Sequence, residues 1–359
     1  MAIKIEPIPN TELKPKINPE DEINLGFGKT FTDRMLIMKY SEGNWNDPVI
    51  KKYEPITLDP SAVCLHYGQT IFEGMKGFLS EEGHINLFRP EQNAYRFNVS
   101  ARRMMMPEIE PNLFLNGLKE LISLEKDWAP RSPGSSLYIR PTMIGTEPGL
   151  GVRAAKEFLF YILLSPSASL FPEGFNPIKI YVSEQYSRAA PGGTGNIKAG
   201  GNYGASLLAG NIAIKKGCKQ VLWLDAVHRK YAEEVGAMNI IFVYEDKLYT
   251  APLTSGTILP GITRDSTIKL ANDLGYTVKE EALSIDTIIE GIHNGKTTEI
   301  FGVGTAASIA PVGSLFYKNE EHVVNNFETG EISAKLYEEL LGIQYGRKED
   351  PYGWIVKVE

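Results

Sequence analysis

A segment rich in proline and serine, residues 165–174, interrupts the chain near its middle. Apolar residues recur at strand or helix spacing on both sides of this segment, and neither period continues through it. With 359 residues the chain is also longer than one hydrophobic core usually supports. We therefore predict an N-terminal domain over residues 1–169 with an arm at about residues 1–18, a linker at residues 170–176, and a C-terminal domain over residues 177–359.

Strands and helices are mixed in both halves of the chain. Apolar runs and alternation predict strands, whereas apolar residues at every third or fourth position predict helices. In the first half we expect strands at residues 35–38, 85–88, 136–144 and 158–164, and helices after Pro90 and over residues 114–124. In the second half we expect strands at residues 178–183, 220–224 and 238–243, and helices over residues 203–216, after Pro260 and over residues 332–341.

Composition argues against several classes of function. The net charge is -7 and the 37 basic residues are scattered, which disfavours nucleic acid as the main partner. The longest apolar run, residues 158–164, is about a third of the roughly 20 residues that a membrane helix needs. Cys64 and Cys218 lie far apart and the five histidines show no metal-binding spacing, so we expect no disulfide framework and no metal. The N-terminus lacks the apolar stretch of a secretory signal, and we therefore expect a cytoplasmic protein.

Two glycine-containing motifs resemble nucleotide-binding loops. Residues 302–307 fit the G-x-G-x-x-A pattern of dinucleotide-binding folds, but Pro311 and Gly313 stand where the following helix should run. Residues 192–198 resemble a phosphate-binding loop, but Ile197 occupies the position of the glycine before the lysine. Neither motif predicts a nucleotide site.

Lys198 is the strongest candidate for a catalytic group. It lies among six glycines within residues 192–204, where the backbone can pass close to a ligand while one amine projects towards it. A lone lysine in such a loop is usually only solvated. Here Tyr203, the apolar-flanked acid Glu234 and a helix start after Pro260 accompany it. An amine, an acid and a helix N-terminus are what a pyridoxal-phosphate site needs for the aldehyde, the ring nitrogen and the phosphate.

Blocks spread along almost the whole chain carry a resemblance to a known family. They lie at residues 27–35, 65–76, 87–90, 93–96, 136–141, 198–203, 234–236, 259–264, 301–305 and 343–346. In this order they resemble the branched-chain-amino-acid aminotransferases of the fold-type IV pyridoxal-phosphate family. The resemblance implies an α+β fold of two domains. The N-terminal α/β domain would be the smaller one, and the larger C-terminal domain would have a strand-rich, barrel-like core with flanking helices.

The resemblance also implies roles around the cofactor, pyridoxal 5'-phosphate. Lys198 would hold the cofactor aldehyde as a Schiff base and then move a proton between the substrate α-carbon and the cofactor. Glu234 would face the pyridine nitrogen, although a salt bridge with Arg229 or Lys230 is the plain alternative. Tyr203 would hydrogen-bond the phenolic oxygen, unless it is simply a core tyrosine.

The cofactor phosphate would be bound by a second group of residues. Arg96 matches the phosphate-binding arginine, and one charge-assisted hydrogen bond of this kind is worth roughly 1.5 to 3 kcal/mol. Arg188 matches a position near the cofactor, with a surface charge as the alternative. Further donors would come from the backbone at Gly261, Ile262, Thr263, Gly304 and Thr305.

The resemblance also implies an apolar pocket for the substrate. Its walls would be formed by Phe27, Tyr67, Phe72 and Tyr138, with Leu150 and Val152 on a loop from the partner subunit of a homodimer. The substrate α-carboxylate would meet the Tyr67 hydroxyl and the Ala306 amide, and Arg140 is a candidate for the distal carboxylate of glutamate. Each aromatic residue alone is more often plain core.

Two departures from the vertebrate members are visible. Ala237 occupies the position of a threonine near the substrate carboxylate, so we expect another group or water to replace that hydroxyl. Ala307 and Ala310 occupy the positions of a C-x-x-C pair, so no thiol switch is expected there.

The implied activity is reversible transamination of leucine, isoleucine or valine with 2-oxoglutarate by a ping-pong mechanism. Within the same fold, a D-amino-acid aminotransferase or an aminodeoxychorismate lyase is the nearest alternative, although those relatives are typically shorter. A pyridoxal-phosphate carrier without turnover, and a dehydrogenase that uses residues 302–307, are the remaining hypotheses.

Overall fold

The computed structural model describes residues 2–168 and 175–359. The described residues form two compact units. The first unit contains residues 2–168, 198–200 and 342–359, and the second contains residues 175–197 and 201–341. The first unit is therefore the longer one, which differs from the expected order of domain sizes. The linker expected at residues 170–176 lies mostly outside the described residues, and the domain limits stay a prediction.

Nineteen strands run through the described residues. They are β1 Lys4–Ile5, β2 Arg34–Ser41, β3 Asn44–Trp45, β4 Val49–Lys52, β5 Thr70–Phe72, β6 Met75–Leu79, β7 Ile85–Phe88, β8 Ser136–Gly145, β9 Phe158–Ser167, β10 Ile178–Val182, β11 Gln220–Leu224, β12 Ala232–Val235, β13 Met238–Tyr244, β14 Lys247–Thr250, β15 Val278–Glu280, β16 Thr297–Gly304, β17 Ser308–Tyr317, β18 Glu320–Val323 and β19 Ile355–Val358.

The same residues form eight α-helices. They are α1 Val63–Tyr67, α2 Pro90–Arg103, α3 Pro111–Glu125, α4 Gly200–Gly204, α5 Leu207–Lys215, α6 Ile262–Asp273, α7 Ile285–Asn294 and α8 Glu331–Tyr345. No helix within residues 2–168 or 175–359 combines the length and apolar character that a membrane span requires.

The first unit is built on a mostly antiparallel sheet. Its strand order is β1-β4-β2-β9-β8-β6-β7-β19, with β3 beside β2 and β5 beside β8. Leu137, Ile139 and Met143 of β8 belong to one core cluster with Phe97 of α2 and Phe114 of α3. Side chains alternate between the two faces of a strand, so the even-numbered residues of β8 point to the face opposite this core. The predicted pocket residues of β8 lie on that face.

The second unit contains a closed barrel. Six strands follow one another in the order β12-β11-β10-β17-β16-β13, and pairing of β12 with β13 closes the ring. Strands β14 and β15 extend the sheet from β13, and β18 pairs with β17. The barrel confirms the predicted α+β fold with a barrel-like core.

Two stretches of secondary structure bear on the sequence predictions. The helix expected over residues 203–216 is wrong as one element, because α4 ends at Gly204 and α5 begins at Leu207. The Ser206 hydroxyl donates to the Tyr203 carbonyl at 2.7 Å, which offers that carbonyl a partner outside a continuous helix. Residues 302–307 join β16 to β17 as an antiparallel hairpin, so the helix of a dinucleotide-binding motif is absent there.

Candidate active site

Lys198 belongs to the first unit and lies against strand β5. Its carbonyl oxygen accepts a hydrogen bond from the Phe72 amide at 3.1 Å, and its amide donates to the Ser100 hydroxyl at 3.1 Å. A Cβ on Gly200 would lie 2.6 Å from the Thr70 side chain, so this close approach requires glycine. The Lys198 Nζ atom lies 4.8 Å from the centre of the Phe72 ring. The backbone of the catalytic candidate is thus held in place while its amine lies over an aromatic ring.

The phosphate-binding candidate Arg96 is held by a fully buried glutamate, Glu73. The Arg96 Nε and Nη2 atoms lie 2.7 and 2.9 Å from the two carboxylate oxygens. Asn93 Nδ2 and the Gly74 amide donate to Oε2 at 2.8 and 3.2 Å. Burial raises the pKa of Glu73, but Arg96 and then Lys198 outweigh it and hold that pKa below its ordinary value. The ionised glutamate fixes the plane of the guanidinium.

Four predicted pocket residues form one cluster in the first unit. The Arg140 Cζ atom lies 4.7 Å from the centre of the Phe72 ring and 5.3 Å from that of Tyr138. Arg140 Nη2 donates to the Tyr138 hydroxyl at 3.2 Å, and the Tyr138 and Phe27 rings meet edge to face at 4.6 Å. The Arg140 Nε atom is buried and has no hydrogen-bond partner within the described residues. The cluster combines apolar walls with one unsatisfied cationic donor.

The remaining predicted pocket residues of the first unit are exposed. The Tyr67 hydroxyl donates to the Leu150 carbonyl oxygen. Tyr67, Leu150 and Val152 are 41%, 67% and 85% exposed. The structure therefore places Tyr67 with the loop that was expected to serve a partner subunit.

Strands β12 and β13 of the second unit carry Glu234 and Asn239, and Leu259 and Arg188 complete the contacts of the Glu234 carboxylate. Glu234 pairs with Asn239 across the two strands. Asn239 Nδ2 donates at 3.0 Å both to Glu234 Oε1 and to the Leu259 carbonyl, and the Leu259 amide donates to the same Oε1 at 3.3 Å. Arg188 Nε forms an ion pair with Oε2. Glu234 is therefore a buried carboxylate with protein donors on both oxygens.

This ion pair bears on two alternatives that the sequence left open. Glu234 pairs with Arg188, so the suggested pairing with Arg229 or Lys230 is wrong. The Arg188 side chain is 8% exposed and is therefore not a surface charge.

A cavity of about 120 Å³ lies next to Glu234 in the second unit. Its lining includes Arg188, Tyr203, Glu234 and Ala237, all predicted site residues, together with Trp223. Tyr203 lies on the short helix α4, not on the first turn of a long helix. The cavity thus brings together an aromatic hydroxyl, a carboxylate and its counter-ion.

The start of helix α6 lies beside the same carboxylate network. Gly261 is the N-cap, no side chain caps the helix, and Ile262 and Thr263 form its first turn. A Cβ on Gly261 would lie 2.0 Å from Asn239 Oδ1, so the close packing requires glycine. The first amides of a helix lack partners within the helix and carry its positive end, which suits an anion.

The turn between β16 and β17 contains the last predicted cofactor and substrate contacts. Gly304 ends β16, and Thr305 and Ala306 follow it before β17 begins. Val303 pairs with Asn239 across β16 and β13. The Gly304 turn and the Glu234 hairpin therefore lie at the same end of the barrel.

Sequence reasoning missed Glu73 and Asn239. Glu73 stands inside a block that carried the family resemblance and Asn239 just beyond one, but neither has a local spacing that indicates a role. Glu73 lies 23 positions before its partner Arg96, and Asn239 lies 20 positions before Leu259. Both are buried polar residues, and burial is the property that would have identified them as candidates. The sequence alone does not show burial.

Comparison with known proteins identifies the class of this protein. The amino-transferase class IV family model matches residues 70–315. The chain belongs to this family and is therefore an aminotransferase. It is 47% identical over 346 residues to branched-chain-amino-acid aminotransferase 2 of Bacillus subtilis (strain 168), an alignment that covers 96% of this chain and 94% of that protein.

Solved structures show the same fold. The crystal structure of the Escherichia coli branched-chain amino acid aminotransferase superposes with a TM-score of 0.76 at 29% identity, covering 90% of this chain and 99% of that one. The T.th. branched-chain amino acid aminotransferase, determined with pyridoxamine 5'-phosphate, has a TM-score of 0.74 at 25% identity and covers 90% and 98% of the two chains.

Proposed function

We propose that this chain transfers the amino group of a branched-chain L-amino acid to 2-oxoglutarate, using pyridoxal 5'-phosphate attached to Lys198. The relatives with this activity in their names match the chain nearly end to end. The observation that carries the proposal is the position of the Lys198 amine over the Phe72 ring, a ring that also lies against Arg140. One amine and one arginine thus lie against the same wall of the predicted substrate pocket.

The residues of each unit fit the cofactor. The first unit offers an amine for the aldehyde and, in Arg96, a guanidinium for the phosphate. The second offers the buried carboxylate of Glu234 beside a cavity and the uncapped start of α6. Pyridoxal phosphate, when bound, accepts the amino group and withdraws electrons from the substrate α-carbon.

The chain's own groups then have distinct tasks. Lys198 would hold the cofactor aldehyde and, once the substrate amine has replaced it there, would move a proton at the substrate α-carbon. Glu234 holds a proton on the ring nitrogen, because a buried anion favours the charged ring. Tyr203 would hydrogen-bond the phenolic oxygen, and Arg188 would hold the Glu234 carboxylate in place through their ion pair. The amides at Gly261, Ile262, Thr263, Gly304 and Thr305 add donors to the phosphate.

Two kinds of substrate must enter one pocket. Phe27, Phe72 and Tyr138 supply apolar area for leucine, isoleucine or valine. Arg140, whose Nε lacks a partner among the described residues, binds the distal carboxylate of glutamate or 2-oxoglutarate. By the family resemblance, the Ala306 amide and the Tyr67 hydroxyl would bind the α-carboxylate, and Ala237 stands where relatives have a threonine hydroxyl.

The proposal includes a homodimer in the cytoplasm. Leu150 and Val152 are exposed apolar side chains of one chain, which suits a loop that completes the pocket of a second copy.

The direct test follows the absorption spectrum of the protein after it has been loaded with pyridoxal phosphate. L-Leucine should remove the band of the lysine-bound aldehyde form, and 2-oxoglutarate should restore it, with D-leucine as a control without effect. No conversion by any branched-chain L-amino acid would refute the proposal. Borohydride treatment should attach the cofactor at Lys198 and leave K198A unlabelled, as read by peptide mass spectrometry.

A further inference from the structure

Strand β12 carries two consecutive buried glutamates, and only Glu234 has a part in the proposed function. Neighbouring residues of a strand point to opposite faces. Glu234 lines the cavity of about 120 Å³ described above, whereas Glu233 lines a separate cavity of about 220 Å³ together with Thr257. Glu233 is 8% exposed, so its carboxyl group must be satisfied by the protein.

Thr257 connects Glu233 to the network around Glu234. The Thr257 hydroxyl lies 2.5 Å from Glu233 Oε1 and donates to it, and the Ser255 hydroxyl lies 2.7 Å from the Thr257 hydroxyl. The Thr257 carbonyl oxygen accepts a hydrogen bond from Arg188 Nη2 at 2.6 Å. Arg188 in turn forms the ion pair with Glu234. The two glutamates are thus linked through a threonine and an arginine.

The segment of residues 251–261 that contains Thr257 has little regular structure, with one short turn at Leu253–Ser255. It nevertheless supplies several groups around Glu234. The Leu259 amide donates to Glu234, the Leu259 carbonyl accepts from Asn239, and Gly261 begins α6. Such a segment needs an anchor, because irregular backbone has no ladder of hydrogen bonds to hold it.

We propose that Glu233 is a positioning residue that, through the Thr257 hydroxyl, anchors residues 251–261 and so holds Arg188 and Glu234 in place for the cofactor ring. This inference rests on the proposed function, because it assigns the ring to Glu234. Glu233 does not touch the cofactor and acts only through Thr257 and Arg188.

The surroundings of Glu233 are consistent with its role as an anchor for Thr257. Burial raises the pKa of Glu233, the Thr257 hydrogen bond lowers it, and Asp225 raises it further, with a net increase. A carboxyl group in either protonation state keeps an oxygen that accepts from Thr257. The close packing of Thr257 also leaves little freedom, because a Cβ on Gly195 would lie 2.3 Å from the Thr257 carbonyl oxygen.

The test measures the dissociation constant of pyridoxal 5'-phosphate by titration of the apoprotein. E233A and T257V should each raise it about tenfold, the change that corresponds to about 1.4 kcal/mol. E233Q should stay within about twofold of the wild type, because the glutamine oxygen still accepts from Thr257. The double variant E233A/T257V should bind no more weakly than either single variant, since both changes remove the same link.

E299A is the matched control in the same unit. Glu299 is also buried, and its oxygens accept from the Ile332 and Ser333 amides at 2.9 Å at the start of α8. E299A should lower the melting temperature while leaving the cofactor dissociation constant unchanged.

Three outcomes would overturn the inference: unchanged affinity in E233A, independent effects of E233A and T257V that multiply in the double variant, or an equal loss in E299A. If E233A does not fold, T257V and E233Q still decide. Failure of the wild type to bind the cofactor at all would instead contradict the proposed function.

Discussion

Each unit contains a buried pair of an arginine and a glutamate, and different protein groups hold the two pairs. In the first unit Glu73 is fully buried and receives two nitrogens of Arg96, the Asn93 amide group and the Gly74 amide. In the second unit Glu234 likewise accepts from Asn239 and from the Leu259 amide, and protein acceptors also surround its partner, Arg188. Its Nη2 donates to the carbonyls of Gly195 and Thr257, while its Nε meets Glu234.

The difference shows which member of each pair is the support. Glu73 is enclosed by donors of its own unit, so it serves to orient Arg96. Arg188 and Glu234 both line the cavity of about 120 Å³, and because two carbonyl oxygens also hold Arg188, we infer that it orients Glu234. The supporting charge is negative where the proposed ligand group is a phosphate, and positive where it is a protonated ring nitrogen.

Removal of Glu73 should have the largest effect on stability and is therefore the strongest test of its supporting role. E73A leaves Arg96 buried without its bidentate carboxylate, and we expect the free energy of unfolding to fall by about 3 to 5 kcal/mol. Urea denaturation of the apoprotein measures this loss. E108A is the control, because the pair of Glu108 with Arg102 is about half exposed and should be worth at most about 1 kcal/mol. A loss in E73A no larger than in E108A would show that Glu73 is not a structural support.

The acid dependence of stability should follow the same pair. The pKa of Glu73 is lowered in the folded protein, so its contribution is present above the unfolded value of about 4.5 and is lost as the pH falls through the folded pKa. E73Q should lose this part of the decline in stability below about pH 4.5. An acid unfolding curve unchanged in shape would contradict the assignment.

Neutralising Glu234 tests the pair in the second unit. E234Q should remain folded, because the amide oxygen still accepts from Asn239, but turnover should fall by about 100-fold since the charge facing the ring nitrogen is lost. Steady-state kinetics with leucine and 2-oxoglutarate, beside circular dichroism, measure the two effects separately. Turnover within about threefold of the wild type would place the ring elsewhere.

Lys76 offers a contrast to the two ion pairs, because burial is what lowers its pKa. Burial lowers the pKa of Lys76 from 10.5 to about 8. The charged form therefore destabilises the fold below pH 8, and this destabilisation disappears as the pH rises from about 8 to about 10.5. K76M should raise the free energy of unfolding at pH 7 by about 1 to 3 kcal/mol. Denaturant titrations at pH 7 and pH 10 should show a clearly smaller gain at pH 10.

Several of the longer strands and helices could be predicted from local patterns. The strands at β2, β7, β8, β9, β10, β11 and β13 and the helices α2, α3, α6 and α8 lie where periodicity and proline placed them. Short strands such as β5, β12 and β18 were missed, because three or four residues carry too little alternation to be distinguished from loops. The opposite error occurs at residues 203–216, where the sequence predicted one helix and the structure has a break between Gly204 and Leu207.

The candidate site also has features that the sequence indicates and features that only the structure shows. Lys198, Glu234, Arg96 and Arg188 could be named from the sequence because they match positions of one family, and the family is confirmed by the class IV match. Their individual roles stay predictions. The sequence could not show that Arg96 is oriented by Glu73 or Glu234 by Arg188, and it favoured a surface position for Arg188.

The sequence by itself determined many of the strands and helices, the membership in an aminotransferase family and the lysine to which we assign the chemistry. The strands and helices follow from the spacing of apolar residues. The family and the lysine follow from short motifs whose residue types can be recognised in the sequence. Only the tertiary structure decided which charge supports which, where Tyr67 lies and how Glu233 is joined to Glu234. Those outcomes depend on contacts between residues far apart in the chain. In a buried site each such contact matters for stability, because a charge without a partner there has no water to solvate it.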